Sequence, residues 1–265
     1  MPLALINGQP ADADALRTLA VVNYGHFTAM QVRGGAVQGL DFHVARLQRA
    51  TRELFGAELP RARIVAELRA ALGAGPADAS LRFTVFARDF DYRHPLRTVA
   101  PDVLITLGPA AVDGKPPLRV KSYPFQRPQP HLKHVGTFPL FHYRRQALLD
   151  GYDDAVFVMP DGTLSEGSIW NLGFWDGEAV VWPEAPALRG TCEQLLQAGL
   201  AEQGVPQRVR PVALAEAAGF RAAFAANASG LQPILGIDGT VYEPDPALMA
   251  RLEAALASRP WEIPA

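Results

Sequence analysis

Apolar residues recur along this chain with two periods, near two and near three and a half, and the switches between them mark most of its elements. The run LALI at 3–6, followed by Asn-Gly-Gln-Pro, predicts a short strand and a turn. FTAMQVR at 27–33, then Gly34-Gly35, then AVQG, predicts a hairpin, because paired glycines supply the left-handed backbone of a tight turn. Asp41 predicts an N-cap for a helix over about 42–55 that closes at Gly56. A second helical stripe, Ile64, Val65, Leu68, Ala71 and Leu72, ends at Gly73. SLRFTVFA at 80–87 and DVLITL at 102–107 predict strands. Further strands are predicted at 118–125, 154–159, 169–175, 178–182, and near 207–212 and 221–226. Helices are predicted at 136–150, about 190–203 and near 246–257. Asp176-Gly177 is the hairpin turn between 169–175 and 178–182. This mixture predicts an α+β fold. GPAAVDGKPP at 108–117 reads as a linker between an N-terminal α+β domain, 1–107, and a C-terminal domain, 118–265.

Composition narrows the function classes. With 49% hydrophobic and 20% charged residues over 265 positions, the chain can bury two sizeable cores. A net charge of −2 without a basic patch argues against nucleic acid as a partner. Cys192 is the one cysteine, so an intrachain disulfide and a thiolate zinc site are both excluded, no metal is expected, and a cytoplasmic location fits. The N-terminus lacks the basic start and apolar core of a signal peptide, and no apolar run approaches the length of a membrane span, so no membrane partner is expected.

Five separated segments carry chemistry: HVARL at 43–47, HLKHVG at 131–136, LSEGSIWN at 164–171, LRGTC at 188–192 and AANASGLQP at 225–233. Taken singly they are weak. A loop lysine is usually a solvated charge, a glutamate after a turn is usually surface decoration, and a glycine opening a helix is usually just a turn. In this order and spacing they resemble the class IV, or fold-type IV, pyridoxal 5′-phosphate (PLP) enzymes. That family includes branched-chain and D-amino acid aminotransferases, R-selective amine transaminases and 4-amino-4-deoxychorismate lyase. The resemblance runs from LINGQP to the C-terminus and rests on His43–Arg46–Leu47, Lys133, Glu166–Asn171 and Leu188–Gly190. It implies a two-domain, D-amino acid aminotransferase-like fold whose C-terminal domain is the cofactor-binding one, with PLP in the interdomain cleft. It also implies a homodimer.

The resemblance assigns roles that the chemistry of each residue type supports. Lys133 is the Schiff-base lysine and, once freed, the base that moves a proton at substrate Cα. Glu166 holds the pyridine nitrogen through a charge-assisted hydrogen bond, with Asn171 as its polar support. Arg46 takes the phosphate with its planar fork. The backbone at Leu188, Gly190, Thr191 and Cys192 offers a helix N-terminus to the same phosphate, and Asn227 and Ala228 form the second phosphate segment. His43 is a packing or orienting residue one helical turn from Arg46.

Departures from the family pattern bear on the reaction. Branched-chain aminotransferases carry a tyrosine five residues after the lysine, and here Phe138 stands there. Many family members have an acidic residue after the early aromatic, whereas this chain has Phe27-Thr28, closer to the lyase. Thr28 is thus a candidate catalytic hydroxyl, although it is also simply a good strand residue. Phe27 and Phe138 are candidate substrate contacts. A substrate carboxylate calls for an arginine. Ala87 takes the family position, and Arg82 or the neighbouring Arg88 could serve instead. The sequence therefore predicts a PLP-dependent aminotransferase acting on a small amino donor and a 2-oxo acid, with the lyase as the alternative. A non-catalytic PLP-binding protein is a third reading.

Overall fold

A computed structural model describes residues 3–112 and 114–265, in two compact units. The first comprises the chain through Ala111 together with Leu132–Gly136 and Pro260–Ala265; the second comprises Val112–His131 and Thr137–Arg259.

The first unit contains β1 (Leu3–Ile6), β2 (Gln9–Pro10), α1 (Ala13–Val22), β3 (His26–Arg33), β4 (Ala36–Gln38), α2 (Leu40–Phe55), α3 (Arg61–Ala74), β5 (Ala79–Phe86) and β6 (Asp102–Gly108). Its antiparallel sheet has the order C-terminal strand (Trp261–Glu262), β4, β3, β5, β6, β1, β2. Side chains alternate between faces along each strand. Met30 and Val32 of β3 and Leu81, Phe83 and Val85 of β5 therefore lie on one face, packed with Val44 and Leu47 of α2 and Ile64 and Leu68 of α3. Each such side chain contributes about 1.5–3 kcal/mol on full burial, so this layer fixes α2 against β3.

The Lys133 segment belongs to this unit, although the predicted C-terminal domain of 118–265 contained it. Two backbone bonds join it to the β3 end: Phe27 N–H donates to the Lys133 carbonyl at 2.8 Å, and Val135 N–H to the Gly25 carbonyl at 3.0 Å. The C-terminal residues join the same sheet through β4.

The second unit contains β7 (Leu118–Pro124), α4 (Phe138–Leu149), β8 (Asp154–Val158), β9 (Leu164–Gly167), β10 (Asn171–Trp175), β11 (Val180–Pro183), α5 (Thr191–Glu202), β12 (Gln207–Arg210), β13 (Ala222–Asn227), β14 (Gly230–Ile237), β15 (Thr240–Val241) and α6 (Pro246–Ala257). Its strand order is β12-β11-β10-β13-β14-β7-β8-β9, and β9 also pairs with β10. That last pairing closes six strands into a ring around Val120, Val156, Leu172, Phe174 and Ile234. Helices α5 and α6 cover β13 and β11 through Leu196, Leu200, Leu248, Leu252, Phe224 and Trp182.

Two local expectations change. Asp41 is not the cap of α2; Gly39, at φ 69°, is the N-cap, and Asp41 lies in the first turn, where its charge suits the helix dipole and pairs with Arg61 at 2.6 Å. The strand expected from 169 begins at Asn171, because the Trp170 indole turns away to donate to Asp154 at 3.1 Å. Arg88 lies beyond the end of β5. Helix α1 and strand β14 have no counterpart among the predicted elements. Among the described residues no helix is long and apolar enough to cross a membrane.

Candidate active site

In the first unit, the site residues gather around the N-terminal end of β3. Phe27 points away from the α2 face, and its ring lies 3.6 Å from the Arg82 guanidinium carbon and 4.9 Å from Lys133 Nζ, measured to the ring centroid. Both cations gain from the negative face of the ring. Arg82 is placed by register: it stands opposite Ala29, on the same sheet face as Phe27 and Thr84, and its Nε donates to Thr84 Oγ at 3.2 Å. Burial lowers the Arg82 pKa, as expected for a cation moved partly out of water. Arg88, the other candidate, is held by Asp102 through both its backbone N–H (2.9 Å) and its guanidinium (2.9 Å), with its side chain 49% exposed. Of the two arginines, Arg82 accompanies Lys133.

Thr28 points to the opposite face, into α2. Its hydroxyl lies 2.6 Å from His43 Nδ1 and accepts a hydrogen bond from Arg46 Nη2, and all three residues are buried. Arg46 Nε is buried with no partner. Burial, followed by the neighbouring Arg49, lowers Arg46 to about 10. Burial, then Arg46 and Lys133, holds His43 well below its usual 6.5, so the imidazole is neutral. His26, also buried, donates from Nε2 to Thr51 Oγ at 2.9 Å, since that hydroxyl itself donates to the Leu47 carbonyl.

In the second unit, the ring closure sets Glu166 directly opposite Asn171. Arg127 grips Glu166 from the side: Nε donates to Oε1 at 2.7 Å and Nη2 to Oε2 at 3.1 Å, both side chains only 4% exposed. This bidentate pair fixes the carboxylate plane. Asn171 Nδ2 donates to the Leu188 carbonyl at 2.6 Å. A Cβ on Gly190 would fall on Asn171 Oδ1, so glycine is required there for packing, its φ of −69° being ordinary. Gly190 is the N-cap of α5, and the buried Thr191 hydroxyl at its first turn has no partner. Cys192 is sealed in the same turn, and burial pushes its thiol up to about 12, which leaves it unreactive as a nucleophile. Glu193 accepts from the Gly190 N–H at 3.3 Å.

Asn227 ends β13 and donates to the Ile169 carbonyl at 3.4 Å, and Ala228 lies in the turn into β14. Phe138 stands apart. It opens α4, is 76% exposed and stacks on His142.

The sequence reading missed Arg127. It lies in the Pro-rich stretch FQRPQP, 39 residues before its partner, where no periodicity or motif marks it.

Two α+β units, one presenting a lysine at a strand edge and the other a carboxylate on a strand ring, define a fold shared with known pyridoxal enzymes. The chain is similar to a branched-chain aminotransferase from the archaeon Thermoproteus uzoniensis (20% identity, 96% of this chain and 94% of that one, TM-score 0.81). It is equally similar to 4-amino-4-deoxychorismate lyase from Pseudomonas aeruginosa (23% identity, 96% and 98%, TM-score 0.82). A hypothetical aminotransferase from Mycobacterium tuberculosis in its PLP-bound form matches as well (20% identity, 96% and 98%, TM-score 0.80). No curated protein matches in sequence. The family profile for amino-transferase class IV matches residues 25–237, so this chain belongs to the class IV aminotransferase family, whose members are PLP-dependent enzymes.

The donor set suits that cofactor. PLP presents an aldehyde, a pyridine nitrogen and a phosphate. The chain offers an amine on Lys133 and a fixed carboxylate on Glu166. Each unit also has a buried donor suited to an anion: Arg46 Nε in the first, and in the second the Thr191 hydroxyl at a helix N-terminus that opens on glycine.

Proposed function

We propose that the chain binds PLP and moves an amino group between a small amino acid or amine and a 2-oxo acid. The observation that carries this reading is the pairing of Lys133 and Arg82 over one aromatic ring, an amine beside a guanidinium free to take a substrate carboxylate. Lys133 would hold the cofactor through its aldehyde, and its amine would move the proton at substrate Cα. Glu166, oriented by Arg127, receives the pyridine nitrogen. Arg46, the Thr191 hydroxyl and the backbone at Gly190, Thr191 and Cys192 take the phosphate, with Asn227 and Ala228 as a second backbone segment. Asn171 acts on this segment indirectly, by holding Leu188. Bound PLP supplies the electron sink that stabilises charge left on Cα. Phe27 forms the apolar wall between Lys133 and Arg82. The same reading carries a homodimer acting in the cytoplasm, which light scattering and cell fractionation check.

A second reading, elimination of pyruvate from 4-amino-4-deoxychorismate, is favoured by Phe27-Thr28 and by phenylalanine at 138. It uses the same cofactor residues.

The test begins with borohydride reduction of the PLP-treated protein and mass analysis of its peptides. The expected result is a cofactor mass on the Lys133 peptide, absent in Lys133→Ala. The same mass retained on another residue in that variant overturns the assignment. Both enantiomers of a panel of amino donors, each with 2-oxoglutarate, then identify the reaction. Formation of glutamate supports amino transfer. Pyruvate release from 4-amino-4-deoxychorismate without it supports the lyase. A protein that binds PLP and does neither is the non-catalytic case.

A further inference from the structure

Thr28 lies within hydrogen-bonding distance of two partners, and neither is a substrate. A hydroxyl has one proton to donate and two lone pairs to accept with. Arg46 Nη2 can only donate, so the Thr28 oxygen accepts from it. The Thr28 proton is then directed to His43 Nδ1, 2.6 Å away. That assignment makes His43 the Nε2–H tautomer, fixed by the network. It also explains how Nδ1 tolerates Arg46 Nη2 at 3.4 Å, since Nδ1 then carries no proton to oppose the guanidinium. All three side chains are buried, on β3 and on one face of α2.

The consequence lies in the charge. Among the described residues Arg46 has no carboxylate within ion-pair distance. Its partners are both neutral, and its Nε is buried without any. A buried guanidinium in this state is oriented but uncompensated, which is costly unless an anion completes it. A carboxylate at position 28 would orient Arg46 equally well and cancel its charge.

We propose that Thr28 is a positioning residue that, with neutral His43, aims Arg46 at an anionic ligand while leaving the positive charge of the guanidinium uncancelled. The proposal rests on Arg46 as the phosphate ligand of the reading above, and it gives Thr28 a role other than the catalytic one its sequence position suggested. It concerns affinity for the phosphate group and leaves the aldehyde end of the cofactor unaffected.

Pyridoxal, which has the aldehyde and no phosphate, separates the two ends. Apo-protein is titrated with PLP, with pyridoxal and with inorganic phosphate, the last read as a rise in melting temperature. The variants are Thr28→Val, which keeps the shape and removes the hydroxyl, Thr28→Ser, which restores it, and Thr28→Glu, which adds a counter-charge. A hydrogen bond to a charged group justifies a loss of about tenfold or more. Thr28→Val and Thr28→Glu are expected to weaken PLP by that factor, to abolish the phosphate-induced rise, and to leave pyridoxal unchanged. Thr28→Ser is expected to bind PLP as the parent does. Equal losses for PLP and pyridoxal would mean a merely structural role and overturn the proposal. So would an unchanged PLP affinity with reduced turnover, which would place Thr28 on the substrate. If the parent binds phosphate through Arg46 but never PLP, the cofactor reading fails, and the phosphate response of the variants still decides this one.

Discussion

Replacing Arg127 by methionine should strongly destabilise the second unit. Its guanidinium and the Glu166 carboxylate meet at 2.7 and 3.1 Å, with 4% of each side chain exposed. Methionine fills much of the volume and supplies no charge. The carboxylate is then left in a site that water hardly reaches, and removing one partner of such a pair costs about 3–5 kcal/mol. The surroundings make this worse, because Glu193 is buried nearby. Burial raises the Glu193 pKa and Glu166 adds to the rise, while Arg189 and the Gly190 N–H oppose it. Without Arg127, two buried carboxylates share less positive charge. Three of the four tryptophans, Trp170, Trp175 and Trp182, lie in this unit, so urea unfolding followed by their fluorescence reports on it. The expected loss is about 3–5 kcal/mol for Arg127→Met. The double variant Arg127→Met/Glu166→Gln should recover part of it, with a coupling energy of about 1–3 kcal/mol, since the buried carboxylate charge is removed together with the guanidinium that faced it. Arg127→Lys should fall between, because an ammonium cannot make the two parallel bonds. A loss under about 1 kcal/mol for Arg127→Met, or strictly additive single effects, would refute the argument that the pair fixes Glu166.

Two further outcomes are expected. Burial, then Arg46, lowers His26 to about 3, and His43 is held well below 6.5 by burial, Arg46 and Lys133, so both are neutral when folded and take up protons when unfolded. Their contribution to stability is complete above about 6.5 and is lost as pH falls toward their folded values, at about 1.4 kcal/mol per histidine per pH unit. Urea midpoints followed by circular dichroism should fall between pH 6.5 and 5.5, and His26→Gln, which keeps the donor to Thr51, should roughly halve the slope; an unchanged slope contradicts the assignment. Gly190→Ala should drive its new methyl into Asn171 Oδ1, break the bond to Leu188 and cost about 1–3 kcal/mol along with PLP affinity. If the collision is the cause, Asn171→Ala/Gly190→Ala will be no less stable than Asn171→Ala alone.

The elements visible in the sequence were those whose ends carry a glycine or an Asx-type turn. The 34–35 turn, Gly56 after α2 and the Asp176-Gly177 hairpin all fall where the pattern placed them. Helix α1 has no counterpart in the sequence reading, although Asp12 caps it, accepting from the Ala15 N–H at 2.7 Å. Strand β14 carries Pro233 and glycines at 230 and 236, which read as loop; its pairing to β13 and β7 overrides them. The placement of 132–136 in the first unit was not legible at all, since two backbone hydrogen bonds to residues more than a hundred positions away leave no trace in side-chain pattern.

Glu166 near the end of β9, Gly190 at the cap of α5 and Arg46 within α2 stand in motifs the sequence displays, whereas a side chain that serves another leaves no such mark. Arg127 is the clearest case, because a lone arginine among prolines has the same sequence signature whether it faces water or a buried carboxylate. Thr28 is subtler, for its direction could have been read. Met30 and Val32 share its parity on β3, and both are apolar, so position 28 must point toward α2 and away from the Phe27 face where Lys133 and Arg82 meet. A hydroxyl on that side is within reach of HVARL and remote from a substrate seated on Arg82. The absence of an acid after the early aromatic thus bears first on how firmly Arg46 holds an anion, and only through that on which reaction follows. Raising ionic strength should therefore weaken PLP more than pyridoxal in the parent, and that difference should shrink in Thr28→Glu, where the cation already has its counter-charge.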